Sequence, residues 1–331
     1  MPETKDKFSV VMPVLNAREH LRAALDSILE AMQKYGNAEL IVLDNGSNDG
    51  SYEILQTEYG SRARVLQVRG VTVGALRNHG TALADGEFLT FIDSDCRIVP
   101  DYFSQALGVL RSGADVTGSK VALEDSPLWV EKTWHALHAQ RNGAVNYINS
   151  GNLVVRRQAF LQVGGFDEKM IGCEDADLGA RLVQNGFKMV QAHAVHAVHL
   201  AGDKTLPIFF RKHTWRGMGM FGMLKNEGLS KPLLITFAHL LACLAAVAIL
   251  FVTPLPLYWR LAIFVLLVNL APAFTIVYRI ASTKTAAYSL LQAMLLYHVY
   301  YLARFYAMWK LILSWRASPE DRHAMSARLR G

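Results

Sequence analysis

Cysteine is scarce in this chain: Cys96, Cys173 and Cys243 are the only three among 331 residues. They are odd in number and far apart, which excludes a disulfide framework and a zinc-type ligand spacing and points to a reducing compartment. Charge is scarce in one long stretch. From Pro232 to Ala303 the only charged residues are Arg260, Arg279 and Lys284, so this region is a candidate for membrane embedding. A signal-peptide core is also lacking. MPETKDK is followed by only eight apolar-leaning residues before Asn16, and the front domain is therefore expected to stay in the cytoplasm. The sequence has no internal repeat and no low-complexity tract. A net charge of +6 would suit a nucleic-acid binder, but many basic residues flank the apolar region. Anionic lipid is the expected partner, and nucleic acid is not.

What is present centres on Phe88–Pro100, FLTFIDSDCRIVP. Phe88, Leu89, Thr90, Phe91 and Ile92 form a short run of the kind that reads as a buried strand of a parallel sheet. It delivers Asp93 and Asp95, with Ser94 between them, to the carboxyl end of that strand, where open α/β sheets bind ligands. Two carboxylates so placed repel each other unless a cation lies beside them. A divalent ion carrying a diphosphate, Mg²⁺ or Mn²⁺, is the leading candidate.

Upstream, the pattern alternates between strands and helices. Phe8–Met12 reads as a strand stopped by Pro13, followed by an amphipathic helix over Ala17–Tyr35 with Leu21, Leu25, Ile28 and Leu29 on one face. Ala38–Leu43 reads as a second strand, ending in the turn-forming run Asp44–Ser51. Val65–Val68 and Gly74–Ala84 supply a third strand and a third helix. Such alternation predicts a parallel, doubly wound sheet.

These segments carry a family resemblance. VVMPVLN, LIVLDNGSNDGS, GALRNHG and FIDSDC resemble the nucleotide-sugar half of glycosyltransferase family 2. SGNLVVRR, VGGFDE and CEDADLGARLVQNGF resemble its acceptor half. Together they cover Phe8–His199. The resemblance implies a GT-A fold with a mostly parallel sheet, a UDP-, GDP- or TDP-type sugar donor, a divalent metal, and inversion at the anomeric carbon. Asn45 departs from the pattern, standing where many members have a second acid, while Asp44 is retained.

Each candidate residue has a functional and a plainer reading. Asp44, ending its strand, is placed to accept hydrogen bonds from a base or ribose, or else caps its own turn; Pro13 and Asn16 line the same edge. Arg77 and Asn78 follow Gly74 by one helical turn, where an arginine fork suits a diphosphate; a surface ion pair is the alternative. By resemblance, Asp93 is the acid facing ribose and metal, and Asp95 the principal metal ligand. Asp175 resembles the general base and Glu174 an acceptor-binding acid, although acids also favour a helix entrance for its dipole alone. Gly151 and Asn152 border the acceptor cleft or form a simple turn. His193, His196 and His199 do not share one strand face, so a three-histidine site is awkward. His199 alone is singled out, because related GT-A enzymes often place a histidine on the metal there.

The domain division expected is 1–203 for the GT-A domain and 204–232 for a basic interfacial linker. From Lys204 to Lys231 there are six basic residues against Glu227 alone, and Phe209–Met220 suits an interfacial helix. Trp215, in HTWRG, is a candidate acceptor contact near the place where processive synthases carry a Gln/Arg-Trp motif. The membrane region is 233–315, with spans at 233–253 and 261–278 and an interfacial helix at 286–315, followed by a basic cytoplasmic tail at 316–331. The whole reads as an inverting glycosyltransferase at the bacterial inner membrane, its catalytic domain cytoplasmic, adding one sugar to a lipid-linked acceptor in polysaccharide or glycolipid synthesis. The rivals are a processive polysaccharide synthase and a catalytically silent nucleotide-binding scaffold.

Overall fold

The computed structural model describes residues 6–139, 141–222, 231–283 and 289–314. The chain divides into two compact units, one from 1–126 with 141–202 and the other from 127–140 with 203–330.

The first unit is built on an eight-stranded sheet. Its strands are β1 (Phe8–Val14), β2 (Ala38–Asp44), β3 (Arg64–Gln67), β4 (Phe88–Ile92), β6 (Val116–Gly118), β7 (Gly143–Ala144), β8 (Asn152–Arg156) and β9 (Met189–Gln191). β5 (Cys96–Ile98) and β10 (Ala197–His199) form a separate antiparallel pair. The sheet order is β3-β2-β1-β4-β8-β6-β9-β7. The first four strands are parallel, as the strand–helix alternation predicts. β8 then runs antiparallel to both β4 and β6, so the sheet is mixed beyond β4.

Residues in β1, β2 and β4 alternate between two apolar layers. Phe8, Val10 and Met12 with Leu40, Val42, Phe88 and Ile92 belong to one core. Val11, Ile41, Leu43, Leu89 and Phe91 belong to the other. A strand buried on both faces reads as a continuous apolar run, which is why these strands are visible in the sequence.

Two boundaries differ from expectation. β1 continues through Pro13 to Val14 instead of stopping before the proline. The Val14 carbonyl accepts from Asn45 on the β2 side, so by alternation Pro13 faces the β4 side, where pairing ends at Val11–Phe91. The missing N–H therefore costs no ladder bond. The first helix starts at Leu21, not Ala17, because Ala17–His20 is taken up by a turn closed on the Ala17 carbonyl.

The second unit is helical, comprising Trp129–Leu137, Leu206–Gly222, Lys231–Val252, Leu257–Thr283 and Leu290–Ser314. Trp134 is its aromatic hub, packing on Phe209, His213, Tyr297 and Tyr300 at centroid distances of 4.9, 4.7, 5.5 and 5.5 Å. Two helices, over Lys231–Val252 and Leu257–Ser282, are long and apolar enough to cross a membrane. They contain the spans expected at 233–253 and 261–278, apart from Thr253. Lys284, Trp315 and the tail 316–331 lie outside the described residues.

Candidate active site

The carboxyl ends of β1, β2 and β4 set the floor of the site. Asp44 ends β2 fully buried. Its Oδ1 accepts from Gly46 N at 2.9 Å, Ser47 N at 3.1 Å and Gln67 Nε2 at 2.9 Å, which orders the loop after the strand. Asn16, at φ 51° in the left-handed region, braces the same loop: its Oδ1 accepts from Asn48 N at 3.0 Å, and its N–H donates to Ser47 Oγ. Pro13 is buried in β1. All three therefore shape this edge of the sheet.

Past β4 the chain turns through Asp93, Ser94 and Asp95 into β5, all three partly exposed. β5 pairs with β10 so that Cys96 lies opposite His199. That register brings His199 Nε2 to 3.2 Å from Asp95 Oδ2. The adjoining Cys96 thiol is buried and is held well above its ordinary range by that burial, then by Asp95 and Asp93, so it is an inert packing group.

Arg77 joins the two acidic motifs. It is 2% exposed; one Nη donates to Asp93 Oδ1 at 2.7 Å and the other to Glu174 Oε1 at 2.8 Å. Its guanidinium carbon lies 5.4 Å from the Phe166 ring centre. The fork expected to face a diphosphate is thus engaged with two carboxylates from residues 81 apart in sequence. Asn78 also holds protein groups. It donates to Phe166 O and Glu168 Oε1 and accepts from Phe166 N, which fixes the GGFDE loop against the Val73–Ala82 helix.

Asp175 lies in the first turn of the Glu174–Gln184 helix, whose N-cap, Cys173, is held at φ 62°. A non-glycine residue there stores backbone strain, of order 1–3 kcal/mol, at the entrance to the acidic pair. Tyr147 Oη and Asn149 Nδ2 each donate to Asp175 Oδ2 at 2.9 Å. Desolvation and then the neighbouring Glu174 charge raise Asp175 to about 6, against the Tyr147 bond and Arg77. Asn149 Oδ1 also accepts from Gly151 N at 2.8 Å. A Cβ on Gly151 would lie 2.8 Å from Asp93 Oδ2 and 2.9 Å from Asn149 Oδ1, so a side chain here would have to displace the end of one of these two side chains. Asn152 is fully buried and occupied with Tyr102, Ser119 and Val195.

Arg77 and Gly151 thus bring Asp93, Glu174 and Asp175 into one cluster, with Asp95 two residues along the chain from Asp93 and His199 brought to Asp95 by the β5–β10 pairing. Trp215 belongs to the second unit, partly buried against Met218 and Ala307. Tyr147 and Asn149 were not among the sequence candidates. Asn149 stands two residues before Gly151 in NSGN, a signal that was available; nothing in the sequence marked Tyr147.

The donor chemistry for a divalent ion is present in Asp95 and His199: the carboxylate oxygen suits Mg²⁺ or Mn²⁺ carrying phosphate, while the imidazole nitrogen favours Mn²⁺ over Mg²⁺, which takes oxygen ligands. Among the described residues no three His, Cys, Asp or Glu side chains converge as a closed metal site.

Family models and known proteins match the chain as well. The model of "Glycosyl transferase family 2" matches residues 9–160, and that of "Glycosyl transferase family group 2" matches 88–315. Glycosyltransferase AglE of Haloferax volcanii is 26% identical over 210 residues, covering 61% of this chain and 69% of its own. Amylovoran biosynthesis glycosyltransferase AmsB of Erwinia amylovora is 28% identical over 202 residues, covering 55% and 66%. The chain spans about two thirds of these relatives, and other relatives are matched over as little as 14% of their length. Among solved structures, the mannosyltransferase PcManGT from Pyrobaculum calidifontis, in complex with GDP-Man and Mn²⁺, matches with a TM-score of 0.58 at 16% identity, covering 96% of this chain and 90% of that one. That likeness speaks for the fold.

Proposed function

This chain is a family 2 glycosyltransferase, and from that premise we propose that its acidic cluster transfers one sugar, with inversion, from a nucleotide-diphosphate sugar to a hydroxyl of a lipid-linked acceptor at the inner face of a bacterial membrane. The observation that carries this reading is the Arg77 bridge. It seats the donor-side Asp93 and the acceptor-side Glu174 on one guanidinium, beside Asp175. In an inverting displacement the acceptor oxygen attacks the anomeric carbon from the face opposite the leaving group, so the base and the donor-side acids must share a cleft.

Asp175 takes the acceptor proton. Its value of about 6 leaves it mostly ionised at neutral pH, yet basic enough to be useful, the range that favours general base catalysis. Tyr147 and Asn149 hold the carboxylate by one oxygen. Glu174, spent on Arg77, orients the cleft. Asp95 and His199 would hold the divalent ion, which when bound would neutralise charge developing on the departing nucleoside diphosphate. AmsB is named for amylovoran biosynthesis, and the comparison with it supports a role here in assembling a surface polysaccharide or glycolipid.

The test is turnover of radiolabelled nucleotide sugars by the purified chain, together with a thermal-shift screen of UDP-, GDP- and TDP-sugars with Mn²⁺. A donor that binds the folded state raises the melting temperature. Asp95→Ala is expected to lose the metal-dependent part of that rise with its ligand-free melting intact. An unchanged Mn²⁺-dependent rise would remove Asp95 from the metal site. A product extended by many sugars would favour the processive reading.

A further inference from the structure

Within the second unit, the Leu206–Gly222 and Leu290–Ser314 helices carry a cluster of charge that the transfer chemistry does not use. Asp203 is its acid. Arg216 Nη1 lies 3.1 Å from Asp203 Oδ2, Lys212 Nζ 3.4 Å from Oδ1, and His213 Nε2 3.8 Å from Oδ2. One carboxylate therefore already serves two fixed cations. His213 is 3% exposed, and its proton affinity is pushed well down by burial and then by Arg216 and Arg304, so it stays neutral.

Arg304 is the cation left over. It is 7% exposed, and its Nε and Nη1 have no hydrogen-bond partner among the described residues. Its aliphatic stem lies over Gly217, where a Cβ would meet Arg304 Cδ at 3.2 Å and Nη1 at 3.3 Å. Its guanidinium sits 4.8 Å from the centre of the Tyr300 ring. A cation–π contact of this kind is worth about 0.5–2 kcal/mol, well short of the several kcal/mol that burying a lone ion costs. An arginine cannot escape that cost by releasing its proton. What balances it is an anion with oxygens matched to a fork.

We infer that Arg304, seated on Gly217 beside Tyr300, is the core of a phosphate-binding site in the second unit, taking the phosphate of an anionic lipid headgroup or a free phosphate ion. The site goes beyond the proposed transfer reaction and does not depend on it: a chain that binds phosphate here without turning over any nucleotide sugar would sink the transferase reading alone.

The experiment uses the full chain, purified in detergent and stripped of lipid. Its melting temperature is followed against dioctanoyl phosphatidic acid, dioctanoylglycerol and inorganic phosphate. Phosphatidic acid is expected to raise the melting temperature by several degrees while dioctanoylglycerol does not, and Arg304→Met is expected to weaken phosphatidic acid binding at least tenfold. An equal rise with inorganic phosphate, lost in the same variant, supports the site and assigns it to the free ion. No rise with either phosphate probe, or the same rise in Arg304→Met, overturns it. Should Arg304→Met fail to fold, Arg304→Lys keeps the charge but loses the fork. It is expected to weaken binding several-fold, and wild-type affinity in that variant overturns the proposal equally.

Discussion

Asp175 and Arg77 are charged groups placed where charge is expensive, and each makes a definite prediction. Asp175→Asn keeps the shape of the side chain and an oxygen for Tyr147 and Asn149, but cannot take a proton. Turnover is expected to fall about 10²–10⁴-fold with donor affinity nearly unchanged. In the parent, log kcat/KM should fall with unit slope below about pH 6, where Asp175 protonates. The stability sign runs the other way. A carboxyl raised from 3.8 to about 6 on folding binds its proton more tightly in the folded state, so its contribution to stability is lost as pH rises from about 4 to about 6. Asp175→Asn should therefore melt above the parent at pH 8 and level with it near pH 4. A variant with parental turnover moves the base elsewhere, Glu174 being next. For Arg77, removing the guanidinium leaves Glu174, 5% exposed, buried without its cation. Arg77→Met should cost about 3–5 kcal/mol, read as a drop in urea midpoint. Arg77→Lys keeps the charge but not the bidentate reach, so kcat should fall more than stability does. Loss of donor affinity with kcat unchanged would return Arg77 to the diphosphate role.

At the scale of elements, the turn into β8 is where the two acidic motifs depend on one backbone. A Cβ at position 151 must push Asp93, which Arg77 pins, or Asn149, which holds Asp175. Gly151→Ala is therefore expected to cut kcat/KM at least tenfold while the melting temperature moves little. Unchanged kinetics in that variant would mean the cleft relaxes around the methyl group. Much of this framework was legible beforehand. β2 and β4 bury both faces, so their apolar runs stand out, and Asp93, Asp95 and Asp175 end or begin elements at marked turns. Tyr147 and Asn149 acquire their relation to Asp175 only when the chain folds back 28 and 26 residues. The dual attachment of Arg77 was hidden for the same reason, its partners lying 16 and 97 residues away. The antiparallel insertion of β8 escaped periodicity because an apolar run gives no direction. His199 was singled out by the family resemblance; it ends β10, and the β5–β10 register explains its nearness to Asp95.

At the scale of the whole molecule, the question is what solvent the apolar helices face. Lys231–Val252 and Leu257–Ser282, of 22 and 26 residues, reach about 33 and 39 Å at 1.5 Å per residue, enough for the hydrocarbon core of about 30 Å. Within the chain's own fold only 22% and 11% of their most apolar windows are buried. Leu241, Phe251, Leu266 and Val277 are 66%, 82%, 62% and 65% exposed. A soluble core helix pair would hide these side chains, each worth about 1.5–3 kcal/mol when removed from water. We therefore propose that both helices span, with the Thr253–Pro256 turn on the far side and Ser289 on the cytoplasmic side with the basic linker, as the positive-inside tendency requires. In intact cells a membrane-impermeant maleimide should label Leu255→Cys. Ser289→Cys should react only after lysis, with the parent chain as the control for Cys96, Cys173 and Cys243. The same accessibility at both positions in intact cells, whether protected or labelled, would mean that the hairpin does not cross, and labelling of Ser289→Cys with protection of Leu255→Cys would reverse the side assigned to the catalytic unit.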